Sequence, residues 1–139
     1  MANSIIALDV GTKRVGVALA DQNTKFPSPL ITLINDDYIW ENIADIINKQ
    51  DVSRIVVGLP RSLSGDDTEQ TKYCREFADK LVQLYDLPVV LQDEALTSHK
   101  AEEELRSKNK HFDKSAVDSL AATYILEDYL LSQNTGLKI

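Results

Sequence analysis

Residues 5–21, IIALDVGTKRVGVALAD, hold two apolar runs broken by Gly11, Thr12, Lys13 and Arg14. Each run has the length and the Ile/Val/Leu/Ala content of a buried strand. The short break containing Gly11 joins them as an antiparallel hairpin over 4–10 and 14–20. A carboxylate, Asp9, ends the first run, with Ile5, Ile6, Ala7 and Leu8 before it and Val10 after. A charge there is costly unless it lies at the rim of the sheet and meets a proton, a cation or water.

Outward from this hairpin the pattern continues. PLITLI at 29–34 reads as a third strand. Residues 37–50 read as a helix with Ile39, Ile43, Ile46 and Ile47 on one face. RIVVGLP at 54–60 is a buried strand stopped by Gly58 and Pro60. A Ser/Gly/Asp loop at 62–67 leads to a helix over about 68–85, and PVVLQDE at 88–94 is a fifth strand. A charged helix over 97–107, a basic patch and a final helix over 115–133 complete the chain. A meander followed by helix–strand alternation predicts an α/β protein: a mixed five-stranded sheet flanked by helices. The 139 residues suit a single domain, 1–139.

The composition, 43% hydrophobic and 27% charged, is that of a globular chain rather than a disordered one. No apolar run has the length of a membrane span, so no membrane partner is expected. The first residues enter a strand pattern without a charged-then-apolar leader. The single cysteine excludes an internal disulfide, and a cytoplasmic location is expected. The formal net charge of −7 argues against a broad nucleic-acid surface. Against that, RSKNKHFDK at 106–114 is a local basic patch.

Four acids stand at or near element ends. Asp9 ends the first strand, Asp93 and Glu94 end the last, and Asp118 is expected in the first turn of the final helix. If the first and last strands are neighbours, these carboxylates converge at one edge. A cluster of hard oxygens suits Mg²⁺ or Mn²⁺. Asp118 has Ala121 and Ala122 at i+3 and i+4, which leave room beside it, and it borders a stripe of Val117, Leu120, Ala121 and Tyr124. Plainer readings exist for each: Asp9 as a turn cap, Asp118 as an acid favourable at a helix N-terminus, Glu94 as a surface acid. Strand alternation points Asp93 away from Glu94. His99 and His111 lack metal-ligand spacing, and Cys74, in register with Phe77, Ala78, Leu81 and Tyr85, reads as core.

Four blocks resemble one family, YqgF or RuvX, the Holliday-junction-resolvase-like proteins. They are ALDVGTKRVGVALAD (7–21), VVGLPRSLSGDDTEQTKYCREFADKL (56–81), DEALTS (93–98) and SAVDSLAATYILEDYL (115–130). Their order and spacing cover nearly the whole chain. The resemblance implies an RNase H-like fold and a metal-dependent nuclease. It carries Asp9, Glu94 and Asp118 over as catalytic residues holding one or two Mg²⁺ or Mn²⁺ ions. It associates the chain with maturing the 5′ end of pre-16S ribosomal RNA. Its expected partners are nucleic acid, either that RNA or branched DNA, and ribosomal particles. Thr12, Lys13, Arg14, Arg61, Thr97, Lys110 and Lys114 are then candidates to hold substrate phosphates. The chain departs from the family pattern at Ala95, where an arginine is usual, and at Ser64, where an acid is usual.

Three other functions compete. An actin-like kinase or ATPase shares the Asp–Gly opening but needs two such domains. A junction resolvase needs a dimer. A non-catalytic nucleic-acid or ribosome-assembly binding module suits the acidic charge and Ala95, but it gains nothing from keeping three carboxylates.

Overall fold

The computed structural model describes residues 3–62, 64–94 and 114–136. Its elements, in chain order, are β1 (Ser4–Val10), β2 (Arg14–Asp21), β3 (Ser28–Ile34), α1 (Ile39–Lys49), β4 (Val52–Pro60), α2 (Glu69–Leu84), β5 (Val89–Glu94) and α3 (Lys114–Gly136). All five expected strands are present, and three of the expected helices. The helix expected at 97–107 lies outside the described residues.

The sheet order is β3-β2-β1-β4-β5. β1 pairs antiparallel with β2, and β2 with β3, while β1–β4 and β4–β5 are parallel. This is the mixed sheet the alternation predicts. Helices cover both faces. Ile6, Leu8, Val10, Val15, Val17, Ile55 and Val57 pack under Ile39 and Ile43 of α1 and Cys74, Phe77 and Leu81 of α2. On the opposite face Ile5, Ala7, Ala18, Ala20 and Val56 pack under Ala122, Ile125, Leu126, Tyr129 and Leu130 of α3. A central strand covered on both sides reads as a continuous apolar run, which is why β1 and β4 do.

One premise of the sequence reading is corrected. The first and last strands are not neighbours, because β4 lies between them. β4 is buried over most of its length, whereas β5 has no buried residue and Leu91 is exposed. The more apolar strand takes the centre, and the strand with polar alternation takes the edge. A second correction concerns Asp118. α3 begins at Lys114 and has no acid in its first turn, so Asp118 opens the second turn. The helix-dipole reading of that acid weakens accordingly, because the effect fades beyond the first turn.

α2 has a well-defined start. Thr68 caps it, accepting from the Thr71 N–H, while the Thr71 hydroxyl accepts from the Thr68 N–H. Thr71 also hydrogen-bonds the Pro60 carbonyl. The same side chain therefore ties the helix start to the end of β4.

Candidate active site

The site begins with the register of the hairpin. Asp9 lies opposite Gly16. Alternation puts Asp9 on the face of Ile5 and Ala7, the face that α3 covers. A side chain at Gly16 is impossible: a Cβ there would land on the Asp118 carbonyl and lie 2.8 Å from the Ser119 nitrogen. The backbone of α3 thus rests directly on β2, opposite Asp9. A glycine inside a strand marks such close approaches.

This contact brings Asp118 to Asp9. Burial, and then the charge of Asp118, push the Asp9 carboxyl from 3.8 up to about 7. Arg14, two residues before Gly16 and on its face, donates from Nε to Asp118 Oδ2 at 2.6 Å. The pair is only partly exposed, 35% for Arg14 and 19% for Asp118, so it is better shielded than a surface ion pair. The result is two neighbouring carboxylates, of which Asp118 is paired with a guanidinium.

The turn between the two strands is held from several sides. The Gly11 N–H donates to the Arg14 carbonyl at 2.9 Å, and a Cβ on Gly11 would lie 2.8 Å from that oxygen. Asn35 Nδ2 donates to the Gly11 carbonyl at 2.7 Å, and the Asn35 N–H to the Lys13 carbonyl at 2.9 Å. From the other face of the sheet, Gln70 Nε2 donates to the Val10 carbonyl at 2.7 Å, and the buried Cys74 thiol donates to the same oxygen. Burial, then the charge of Asp9, raise the Cys74 thiol to about 11, so it stays protonated. Thr12 and Lys13 are exposed on this fixed turn.

Glu94 ends β5 in register with Pro60, on the face of Val90 and hence of α3. Its Oε1 is buried. It shares a sheet face and a sheet end with Asp9, but its strand stands two away, roughly 10 Å at ordinary spacing, and Glu94 lies two residues beyond Gln92, the partner of Gly58 in the row of Asp9. Asp93 points to the other face, as alternation predicts, and its Oδ1 accepts from Arg61 Nε at 3.0 Å. Arg61 also donates to Asp67 Oδ1 at 2.8 Å and to the Gly65 carbonyl at 3.3 Å. Its guanidinium thereby clamps the loop after β4. Thr97 and Lys110 lie outside the described residues, as does the Lys114 side chain. The structure therefore brings Asp9, Asp118 and Arg14 together, with Lys13 and Thr12 beside them. It places Glu94 on the same face but at a distance. Among the described residues, no three of His, Cys, Asp or Glu are grouped closely enough to hold a metal.

Sequence reasoning missed Gly16, Asn35 and Gln70. A signal existed for the first, a glycine mid-strand opposite the carboxylate. The other two act through backbone carbonyls far away in sequence and left none.

The family model RuvX, described as Holliday junction resolvase, matches residues 3–132. The chain belongs to the RuvX family. Curated relatives named "Putative pre-16S rRNA nuclease" include one from Sulfurihydrogenibium sp. (strain YO3AOP1), 39% identical over 91% of this chain and 88% of the relative. Those from Rickettsia typhi and Maridesulfovibrio salexigens are 44% and 40% identical, over 88% and 91% of this chain and 81% and 96% of their own lengths. Among solved structures, T. thermophilus RuvC in complex with a Holliday junction substrate superposes with a TM-score of 0.55 at 12% identity, over 96% of this chain and 97% of that one. The Fowlpox virus resolvase in its junction complex gives 0.51 at 11% identity, over 98% and 99%. At those identities the likeness concerns the fold. This RuvX member has the RNase H-like architecture expected from its sequence.

Proposed function

We propose that this protein is a divalent-cation-dependent nuclease that hydrolyses phosphodiester bonds, with the 5′ end of pre-16S ribosomal RNA as its substrate in the cytoplasm. The observation that carries the reading is the Asp9–Asp118 pair on the α3 face of the sheet, with Arg14 at its rim. The names of the relatives support the choice of RNA, and a substrate presented on ribosomal particles accords with it.

Two of the three carboxylates, Asp9 and Asp118, offer the hard oxygens that Mg²⁺ or Mn²⁺ takes. Burial and the second carboxylate raise the Asp9 carboxyl to about 7, and a hard cation offsets both causes. Asp9 and Asp118 would hold the ion, with Glu94 as the further carboxylate on that face. When bound, the cation supplies a Lewis acid that lowers the pKa of a coordinated water and offsets charge on the phosphate. The chain's own residues do the rest. Gly16 sets the approach of Asp118 to Asp9. Arg14 orients Asp118 and presents a guanidinium suited to a phosphate oxygen. Lys13 and Thr12, exposed on a turn fixed by Asn35, offer an ammonium and a hydroxyl to the backbone.

The family model's description keeps junction DNA as the second substrate to test. The experiment offers end-labelled pre-16S RNA and a four-way DNA junction in parallel, with Mn²⁺, Mg²⁺ or EDTA. Cation-dependent cutting of the RNA in preference to the junction supports the proposal. Preferential cutting of the junction assigns the site to resolution. Binding without cutting of either makes the chain a non-catalytic module.

A further inference from the structure

A cavity of about 540 Å³ opens on the other side of Asn35, between the β3–α1 connection and α2. Trp40, Tyr73 and Phe77 line it, and Asp36, Asp37 and Glu76 stand among the same lining residues. Trp40 and Phe77 pack with ring centroids 4.6 Å apart, and Tyr73 lies 6.5 Å from Phe77. Phe77 is buried, Trp40 and Tyr73 are half-buried, and all three acids are exposed. Lys80 is the one basic residue of the lining, against three carboxylates.

This combination selects a ligand. Aromatic faces attract cations, guanidinium above all, and carboxylates bind it through paired hydrogen bonds. Three acids repel phosphate, so the pocket is not an extension of a nucleic-acid track. The volume falls in the range of small-ligand sites. Tyr38 and Ile34, 64% and 66% exposed, flank the lining residues in the chain and offer apolar surface beside the cavity. A net charge of −7 draws a basic partner toward it. We propose that this pocket receives an arginine side chain from a basic segment of a partner protein.

The position matters to the rest of the molecule. Asn35, part of the lining, donates its side-chain amide to both the Tyr73 hydroxyl and the Gly11 carbonyl, each at 2.7 Å. A partner docked here touches the residue that fixes the turn carrying Thr12, Lys13 and Arg14.

Trp40 is the only tryptophan of the chain, so its fluorescence reports on this pocket alone. The test titrates the full chain with acetyl-Gly-Arg-Gly-Arg-Gly-amide and with the same peptide carrying citrulline, which keeps the shape and removes the charge. The expected result is a saturable change with the arginine peptide, weakened about tenfold or more by citrulline. The same loss is expected in the exposed triple variant Asp36→Asn, Asp37→Asn, Glu76→Gln. The Asp36 carboxylate now accepts from the Tyr38 N–H, and the amide that replaces it keeps an oxygen for that bond. No saturable change, or equal binding of the citrulline peptide, overturns the proposal. So does saturation of the Trp40 signal by a single-stranded oligonucleotide that excludes the peptide. The citrulline comparison uses the unaltered protein, so the result does not depend on the folding of the variant.

Discussion

Asp9 is a carboxyl that the fold holds against its own ionisation. Its folded value of about 7 stands some three units above 3.8. Between about pH 4 and pH 7 the folded protein keeps this proton while the unfolded chain has released it. Stability therefore falls as pH rises through that window, and by pH 8 the whole penalty is present. At 1.36 kcal/mol per unit, the penalty is at most about 4 kcal/mol. Asp9→Asn keeps the shape and deletes the titration. Melts from pH 4 to pH 9 are expected to show the variant gaining on the wild type as pH rises, with the difference vanishing near pH 4. A divalent cation acts in the same sense on the wild type alone. Millimolar Mn²⁺ is expected to raise the melting temperature of the wild type at pH 8 and to leave Asp9→Asn unmoved, because ligand binding to the folded state is what stabilises it. Asp9 was legible in the sequence as a charge ending an apolar strand. Arg14 was legible only as a candidate for phosphate, since its pairing with Asp118 spans 104 residues.

The elements meet at points where glycine removes an obstacle. Gly16 and Gly58 both lie under α3, but a methyl group at each meets a different kind of atom. At Gly16 it meets the helix backbone, and at Gly58 the end of the Ile125 side chain. Gly58→Ala is expected to cost about 1–3 kcal/mol, an ordinary overpacking penalty. Ile125→Val should recover much of it, because the nearest atom is the Ile125 Cδ1 that valine lacks. Gly16→Ala is expected to cost about 3 kcal/mol or more, in the range of the severe core substitutions. No truncation on α3 can relieve it, since the clash is with main chain. Denaturant unfolding of Gly58→Ala, of Gly58→Ala with Ile125→Val, and of Gly16→Ala checks this pattern. At the start of α2, Thr71→Val removes the acceptor for the Thr68 N–H and the bond to Pro60 together, and leaves the Thr68 hydroxyl capping the Thr71 N–H. It should cost about 1–2 kcal/mol, as losses of helix caps do.

The molecule as a whole is a sheet that gathers charge at one end of one face. The strands and the two-sided burial were legible because β1 and β4 are apolar throughout, as strands covered on both faces must be. Strand order was less so. The alternation of β5 marks an edge strand, and its place beside β1 entered the sequence reading only as a condition, which the strand order does not meet. Asp9 and Glu94 are consequently separated by β4, a distance that a pattern read along the chain does not contain. The acidic net charge, which argued against nucleic acid, sits in part on the surface around Trp40, away from Asp9 and Arg14. On the two proposals made above, the faces of the molecule carry different chemistry, one for phosphate and one for a cation.

Single-turnover cleavage of end-labelled pre-16S RNA in Mn²⁺, by the wild type and by Asp9→Asn shown to be folded, decides whether Asp9 carries the chemistry of a nuclease. Cutting by the wild type that EDTA abolishes is expected, with a loss of about a thousandfold or more in the variant, as when an essential electrostatic group is removed. An Asp9→Asn protein that cuts at the wild-type rate would contradict that role.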